Sequence, residues 1–304
     1  MDGILNVYKP QDITSFSAVS RIRKFTGEKR VGHAGTLDPM ATGVLPVLVG
    51  RAAALQEMLS DHDKSYRAGI KLGVVTDTGD ITGNVVQSKE VSGVSEQMFE
   101  NALQGFVGKI MQTPPMYSAI KINGERLYDL ARKGVEVERK PRQIEIYSAS
   151  LVKRLSEDEF VFDVSCSKGT YIRTLCEDIG EKLGIGACMS SLERTVCGNF
   201  SVTDSVSLDK VEQMYKNGDR DGIQSLLVPA EKLFENSKKI TLPPFYSRLC
   251  SNGCEIYLSK LGLPDSALAD SLFRVYTSDN AFLGLAEIKD FPDGRAIKLR
   301  YRLG

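Results

Sequence analysis

The sequence predicts an α+β protein in two parts, and three observations carry that prediction. Short strands are interleaved with helices that each show one apolar stripe. The stretch from Gln112 to Pro141 breaks this rhythm with Pro114-Pro115, Asn123-Gly124 and many charges. From about Lys238 the helical pattern gives way to short strands and turns. The expected division is a domain over 1–237 carrying an insertion at about 113–141, followed by a small β-rich domain over 238–304.

Ile4 to Tyr8 reads as a strand, ended by Lys9-Pro10 because proline cannot donate to a ladder. The next helix has Phe16, Val19 and Ile22 at a spacing of three, Thr14 or Ser15 as its cap and Gly27 to close it. Arg21, Arg23 and Lys24 fall toward its C-terminal end, where positive charge is favoured. After a loop from Val31 to Gly43 come an apolar stretch, Val44 to Val49, a helix from Arg51 to Ser60 and a strand from Lys64 to Val75. In that strand Tyr66, Ala68, Ile70 and Leu72 share a face. Thr76 to Asp80 is turn chemistry, and a helix is expected around Gln97 to Val107.

The excursion over 112–141 holds one short helical pattern, Leu127 to Arg132. A long irregular insertion reads equally as a mobile clamp or as a passive surface loop. Strands at Gln143 to Leu155 and Glu159 to Ser167 lead into a helix from Thr170 to Leu183 with Ile172, Leu175, Ile179 and Leu183 as its stripe. A helical region near Leu208 to Tyr215 precedes the C-terminal strands, expected at Glu255 to Leu258, Leu272 to Thr277, Leu283 to Lys289 and Ala296 to Tyr301.

Thirty-nine basic and thirty-nine acidic residues cancel, which argues against a protein that coats a polyanion wholesale. The charge is nevertheless clustered. Arg21, Arg23, Lys24, Lys29 and Arg30 face only Glu28 between residues 20 and 36, and further basic clusters lie within 121–154 and the last sixteen residues. Each alone is an ordinary solvated face, but together they suit a surface that tracks phosphates. No apolar run is long enough to span a membrane, and the opening MDGILNVYKP lacks a signal-peptide layout, so a cytoplasmic location is expected. Six cysteines without a C-x-x-C read as buried free thiols, and with two histidines in the chain no metal is expected.

The segment from Val31 to Val44 packs glycines, His33 and Asp38 into one loop. Glycines at 32, 35 and 43 permit backbone shapes that other residues resist, and Pro39 holds Asp38 extended, so the loop can present a carboxylate at a fixed place. It can equally be a phosphate cradle or a plain turn, although its spacing fits neither G-x-G-x-x-G nor a P-loop.

GHAGTLDPMATGVLPV resembles the signature around the active-site aspartate of the TruB family of pseudouridine synthases. Further segments agree in order over roughly the first 200 residues: Lys9-Pro10 with Thr14-Ser15, Tyr66 with Leu72-Gly73, PPMYSAIK, YDLARKG and CSKGTYIRTLCEDIGEKLG. The C-terminal piece is similar to the family's PUA-like domain. One departure is Asp12, where the family usually has glycine. The resemblance implies a pseudouridine synthase fold, a mixed and largely antiparallel sheet flanked by helices, with a PUA-like domain after it.

It also implies isomerisation of uridine to pseudouridine in the T-loop of tRNA, at position 55, by base flipping and without cofactor. Asp38, Tyr66 and Arg173 would be the catalytic set, with His33, Lys9, Tyr171 and Leu192 on the substrate side. A carboxylate can attack C1′, add at C6 or take a sugar proton, and the sequence leaves all three open. Arg173 would pair with Asp38, since an opposite charge favours the ionised carboxylate and fixes its orientation. Tyr66 would stack on the flipped base, His33 would fill the vacated space, and Lys9 would touch RNA or support the loop. Core packing accounts for Tyr171 and Leu192 nearly as well as a pocket role does. The partner implied is the T-arm of tRNA, bound by a monomer with no membrane or protein partner, and an aid to tRNA folding is compatible. The alternative is a non-catalytic RNA-binding or RNA-chaperone protein, which would need the basic clusters but not Asp38. A nucleotide-binding oxidoreductase would need a strand, glycine-rich turn and helix that the loop at Gly32 does not supply.

Overall fold

A computed structural model describes residues 1–118, 120–122, 124–264 and 272–304. Ala119 of PPMYSAIK and Asn123 of the expected Asn123-Gly124 turn lie outside the described residues. The chain builds a ten-stranded sheet and a separate five-stranded sheet, so the α+β expectation holds. The long path of the large sheet runs Val206–Ser207, Gly3–Lys9, Thr42–Val49, Ala187–Cys197, Lys64–Leu72, Glu159–Cys166, Arg142–Arg154 and Gly108–Gln112. Two of its pairings are parallel, Gly3–Lys9 with Val206–Ser207 and Thr42–Val49 with Ala187–Cys197, and the rest along this path are antiparallel.

The helices Ser15–Thr26, Glu96–Gln104 and Ile172–Lys182 place Ile22, Leu103 and Ile179, all fully buried, in one core with sheet residues such as Leu45, Ile70 and Phe162. Thr14 caps the first helix by accepting from the Ser17 N–H, and Gly27 closes it at φ 72°. Phe16 does not belong to the buried stripe: it is 69 % exposed, and Ala18, Val19, Ile22 and Phe25 carry the apolar face. The loop expected over 31–43 begins as a strand, because Val31–His33 pairs with Thr42–Val49. The helix expected over 51–60 starts as a 3₁₀ turn, Gly50–Leu55, before Gln56–Ser60.

The strand expected from Lys64 to Val75 breaks at Gly73, whose φ of 76° a β-branched residue would resist. The chain then enters a small hairpin, Val74–Thr76 with Val85–Ser88. The largest omission from the sequence pattern is Ala187–Cys197. This eleven-residue strand has two register shifts against Lys64–Leu72, and they disrupt the period-two alternation that would have revealed it. It sits at the centre of the sheet and joins the N-terminal strands to the rest.

The C-terminal strands Lys239–Thr241, Ile256–Tyr257, Phe273–Tyr276, Phe282–Phe291 and Gly294–Arg302 form the five-stranded sheet. Its own core gathers Cys250, Leu258, Phe273, Val275 and Ile297. Leu285 and Leu303 instead pack with Ile4 and Leu48 of the large sheet and with Leu55 of the 3₁₀ turn, so one apolar cluster spans both units. Five cysteines are buried and free, whereas Cys254 is exposed. Among the described residues no helix is long and apolar enough to cross a membrane, and no three His, Cys, Asp or Glu side chains gather as a metal set.

Candidate active site

Asp38 sits on a loop pinned from several sides. Ser15, at the start of the first helix, accepts from the Leu37 N–H at 2.8 Å and donates to its carbonyl at 3.0 Å. The Asp12 N–H donates to the Pro39 carbonyl at 2.9 Å. Lys9 is fully buried, and its ammonium donates to Pro10, Ile13 and Pro39 carbonyls at 2.8, 2.8 and 3.2 Å. The residues of the Lys-Pro and Thr-Ser segment thus clasp the loop. Burial pulls the Lys9 amine down to about 8, opposed by the Asp38 and Asp12 carboxylates. Lys9 is thus enclosed among the carbonyls to which it donates, with none of its own surface exposed.

Arg173 comes to the same place from the first turn of Ile172–Lys182. Its Nε lies 3.1 Å from Asp38 Oδ2 and 3.9 Å from Asp80 Oδ2. Its Nη1 donates to the Thr78 carbonyl at 2.9 Å and its Nη2 to the Tyr117 carbonyl at 2.7 Å. Arg173 is only 6 % exposed, while the Asp38 side chain keeps 39 % of its surface open. A buried guanidinium held by two carbonyls and two carboxylates has little freedom, so it can orient the one carboxylate that still faces outward.

Two supporting residues do not stand out in the sequence. Asp80 reads as turn chemistry, yet it is 6 % exposed and accepts from the Thr82 N–H at 3.0 Å and from the hydroxyls of Thr78 and Thr82. Arg194 is fully buried on the central strand, donating from Nε to the Val44 carbonyl at 2.7 Å and from Nη2 to the Gly35 carbonyl at 3.0 Å. It therefore holds both ends of the Asp38 loop. Gly43 at φ 99° is needed there, since a Cβ would come within 2.3 Å of the Arg194 carbonyl. An arginine after Leu192 gives no local sign of burial; only the pairing of its strand reveals it.

Tyr66 is 8 % exposed and lies opposite Arg194 on one side and Val164 on the other. Burial pushes its phenol up, against the pull of Arg194, so it is neutral near pH 7. Leu192 pairs with Ala68 and is partly buried on the same cross-strand face as Tyr66 and Arg194. His33 ends the short strand Val31–His33, with its Nδ1 buried. Burial, then Arg194, pull its pKa down, favouring a neutral ring. Tyr171 caps the helix that carries Arg173 and is partly buried. A cavity of about 320 Å³ beside it is lined by Gln112, Arg142, Lys168 and Tyr171 among others.

Comparisons with known proteins agree over most of the chain. A family described as TruB family pseudouridylate synthase (N terminal domain) matches residues 23–172, and the tRNA pseudouridylate synthase B C-terminal domain matches 173–235. A protein of Clostridium tetani named tRNA pseudouridine synthase B is 46% identical over 94% of this chain and 96% of its own length. One of the same name from Clostridium perfringens is 40% identical over 94% and 95%. Among solved structures, the fold is similar to a chain of a Cbf5-Nop10-Gar1 complex, with a TM-score of 0.71 at 24% identity over 99% of this chain and 85% of that one. A chain of an H/ACA RNP bound to a substrate RNA containing 2′-deoxyuridine gives 0.70 at 23% over 99% and 85%. At such identities these two structures speak to fold alone.

Proposed function

This chain belongs to the TruB family of pseudouridylate synthases, and we propose that it isomerises a uridine of tRNA to pseudouridine on the carboxylate of Asp38. The observation that carries this reading is the Asp38–Arg173 pair at 3.1 Å, with the arginine buried and the carboxylate half open. The target is the uridine at position 55 in the T-loop. The reaction breaks the C1′–N1 bond, turns the base and forms a C1′–C5 bond, with loss of the C5 hydrogen. An oriented carboxylate serves attack at C1′, addition at C6 or removal of a sugar proton.

A base must leave its stack to reach Asp38. In our reading Tyr66 and Leu192 wall the pocket, His33 enters the space the nucleotide leaves, and Tyr171 buttresses the ion pair. A neutral, buried Tyr66 phenol suits this wall role. The insertion over about 113–141 closes on the T-arm, the β-rich unit over 238–304 serves as a PUA-like second RNA contact to the domain at 1–237, and the enzyme works alone in the cytoplasm. An aid to tRNA folding is compatible with the same surface.

The test is tritium release from a tRNA transcript labelled at uridine C5. Stoichiometric release by the parent and none by Asp38→Asn is the expected result. A folded parent that binds tRNA and releases nothing would leave an RNA-binding protein instead.

A further inference from the structure

The chain at the start of the 113–141 insertion is tied to the helix that carries Arg173 at two points. Gln112 ends the strand Gly108–Gln112 and is 3 % exposed. Its Oε1 accepts from the Tyr171 N–H at 2.8 Å, and its Nε2 donates to the Tyr171 carbonyl at 3.1 Å. Tyr171 is the N-cap of the Arg173 helix and has no side-chain cap bond of its own. Its carbonyl also accepts the first intrahelical bond, from the Leu175 N–H at 3.1 Å. Gln112 thus grips the peptide groups at the very start of the helix.

Five residues further on, the Tyr117 carbonyl accepts from Arg173 Nη2 at 2.7 Å. Between the two points lie Pro114 and Pro115, whose rings restrict the backbone. Arg139, near the far end of the insertion, donates from Nη1 to the Pro114 carbonyl at 3.1 Å. Both roots of the insertion therefore meet on the short bridge that holds Arg173.

We propose that Gln112 is a positioning residue for Arg173, through which the placement of the insertion sets the geometry of the Asp38–Arg173 pair. This rests on the reading of that pair as the reacting centre. Gln112 is suited to the task because its amide offers one acceptor and donors in a fixed plane, matched to the N–H and carbonyl of a single residue. A helix start freed from this grip lets the guanidinium drift, and a misplacement of about 1 Å in an oriented group can cost on the order of 100-fold in rate.

Two variants separate positioning from mere satisfaction of buried groups. Gln112→Glu keeps the acceptor for the Tyr171 N–H but sets a carboxyl oxygen against its carbonyl. Gln112→Met keeps the length and loses both bonds. Single-turnover rate and Kd on a tRNA transcript, amide exchange over 171–176 and thermal unfolding are measured on each. The expected result is a rate roughly 10- to 100-fold lower with Kd within about twofold of the parent. Exchange over 171–176 should be faster in both, less so for Gln112→Glu at Tyr171. Folded variants with parental rate, or a rate loss matched by an equal loss of affinity, overturn the proposal. If Gln112→Met fails to fold, Gln112→Glu carries the test. Exchange also reads the clamp without reference to activity: unchanged exchange in a folded variant sinks the proposal, whereas an inactive parent sinks the assigned reaction instead.

Discussion

Asp12 takes up the left-handed backbone, φ 64°, that the glycine usual at this place in the family would adopt freely. An L-residue there is strained by about 1–2 kcal/mol, less for aspartate, whose short side chain tolerates the region. The turn survives the exchange because the Asp12 N–H still reaches the Pro39 carbonyl at 2.9 Å. Asp12→Gly should therefore stabilise the protein by about 0.5 kcal/mol, relief of strain exceeding the extra freedom glycine gains when unfolded. Urea unfolding of the two proteins checks this, and a less stable variant would show that the carboxylate itself contributes. At this scale the sequence was legible where chemistry is carried by a motif: Asp38 and Arg173 do come together. Asp80 and Arg194 were not legible, because nothing local to a turn aspartate or a strand arginine says that its side chain turns inward.

The helix Ile172–Lys182 carries Arg173, the partner of Asp38, at its start and an electrostatic cost in its middle. Burial pushes the Asp178 carboxyl up to about 6, helped by the like charge of Glu181 three residues on. An acid with a raised folded pKa holds its proton longer in the folded state than in the unfolded one. Its charging therefore weakens the fold as pH rises from about 4 to about 6. Asp178→Asn should match the parent below pH 4 and exceed its stability above pH 6 by about 1 kcal/mol, less than the raised pKa alone would give because solvent screens this partly exposed carboxyl. Denaturant titrations at both ends of that window test the sign, and an equal difference at both would rule the carboxylate out as its cause. Elements with clean periodicity, such as Ser15–Thr26 and Glu96–Gln104, were readable from their stripes. Ala187–Cys197 was not, since its two register shifts put successive residues out of the alternating pattern.

Across the whole molecule, zero net charge conceals a basic cluster of five residues over 21–30 and others within 121–154 and the C-terminal strands. If these track phosphates, tRNA affinity should fall with salt. Engagement of three or more phosphates gives a slope of about −2 to −3 in log K against log salt, by the contribution each neutralised phosphate makes. A filter-binding series across salt concentrations measures it, and a slope near zero would remove the electrostatic surface from the account.

The sequence by itself determined the α+β class, the β-rich character of the C-terminal part, and the loop that displays Asp38. These rest on periodicity, turn chemistry and a contiguous motif, all of which are local along the chain. Only the tertiary structure decided that Lys9 is a buried clasp, that Arg194 on an unrecognised strand holds both ends of the Asp38 loop, and that Gln112 and Tyr117 reach the Arg173 helix. Each of those depends on a polar side chain finding a carbonyl or N–H far away in sequence. A buried donor must be satisfied, but which distant group satisfies it follows from strand order and helix packing.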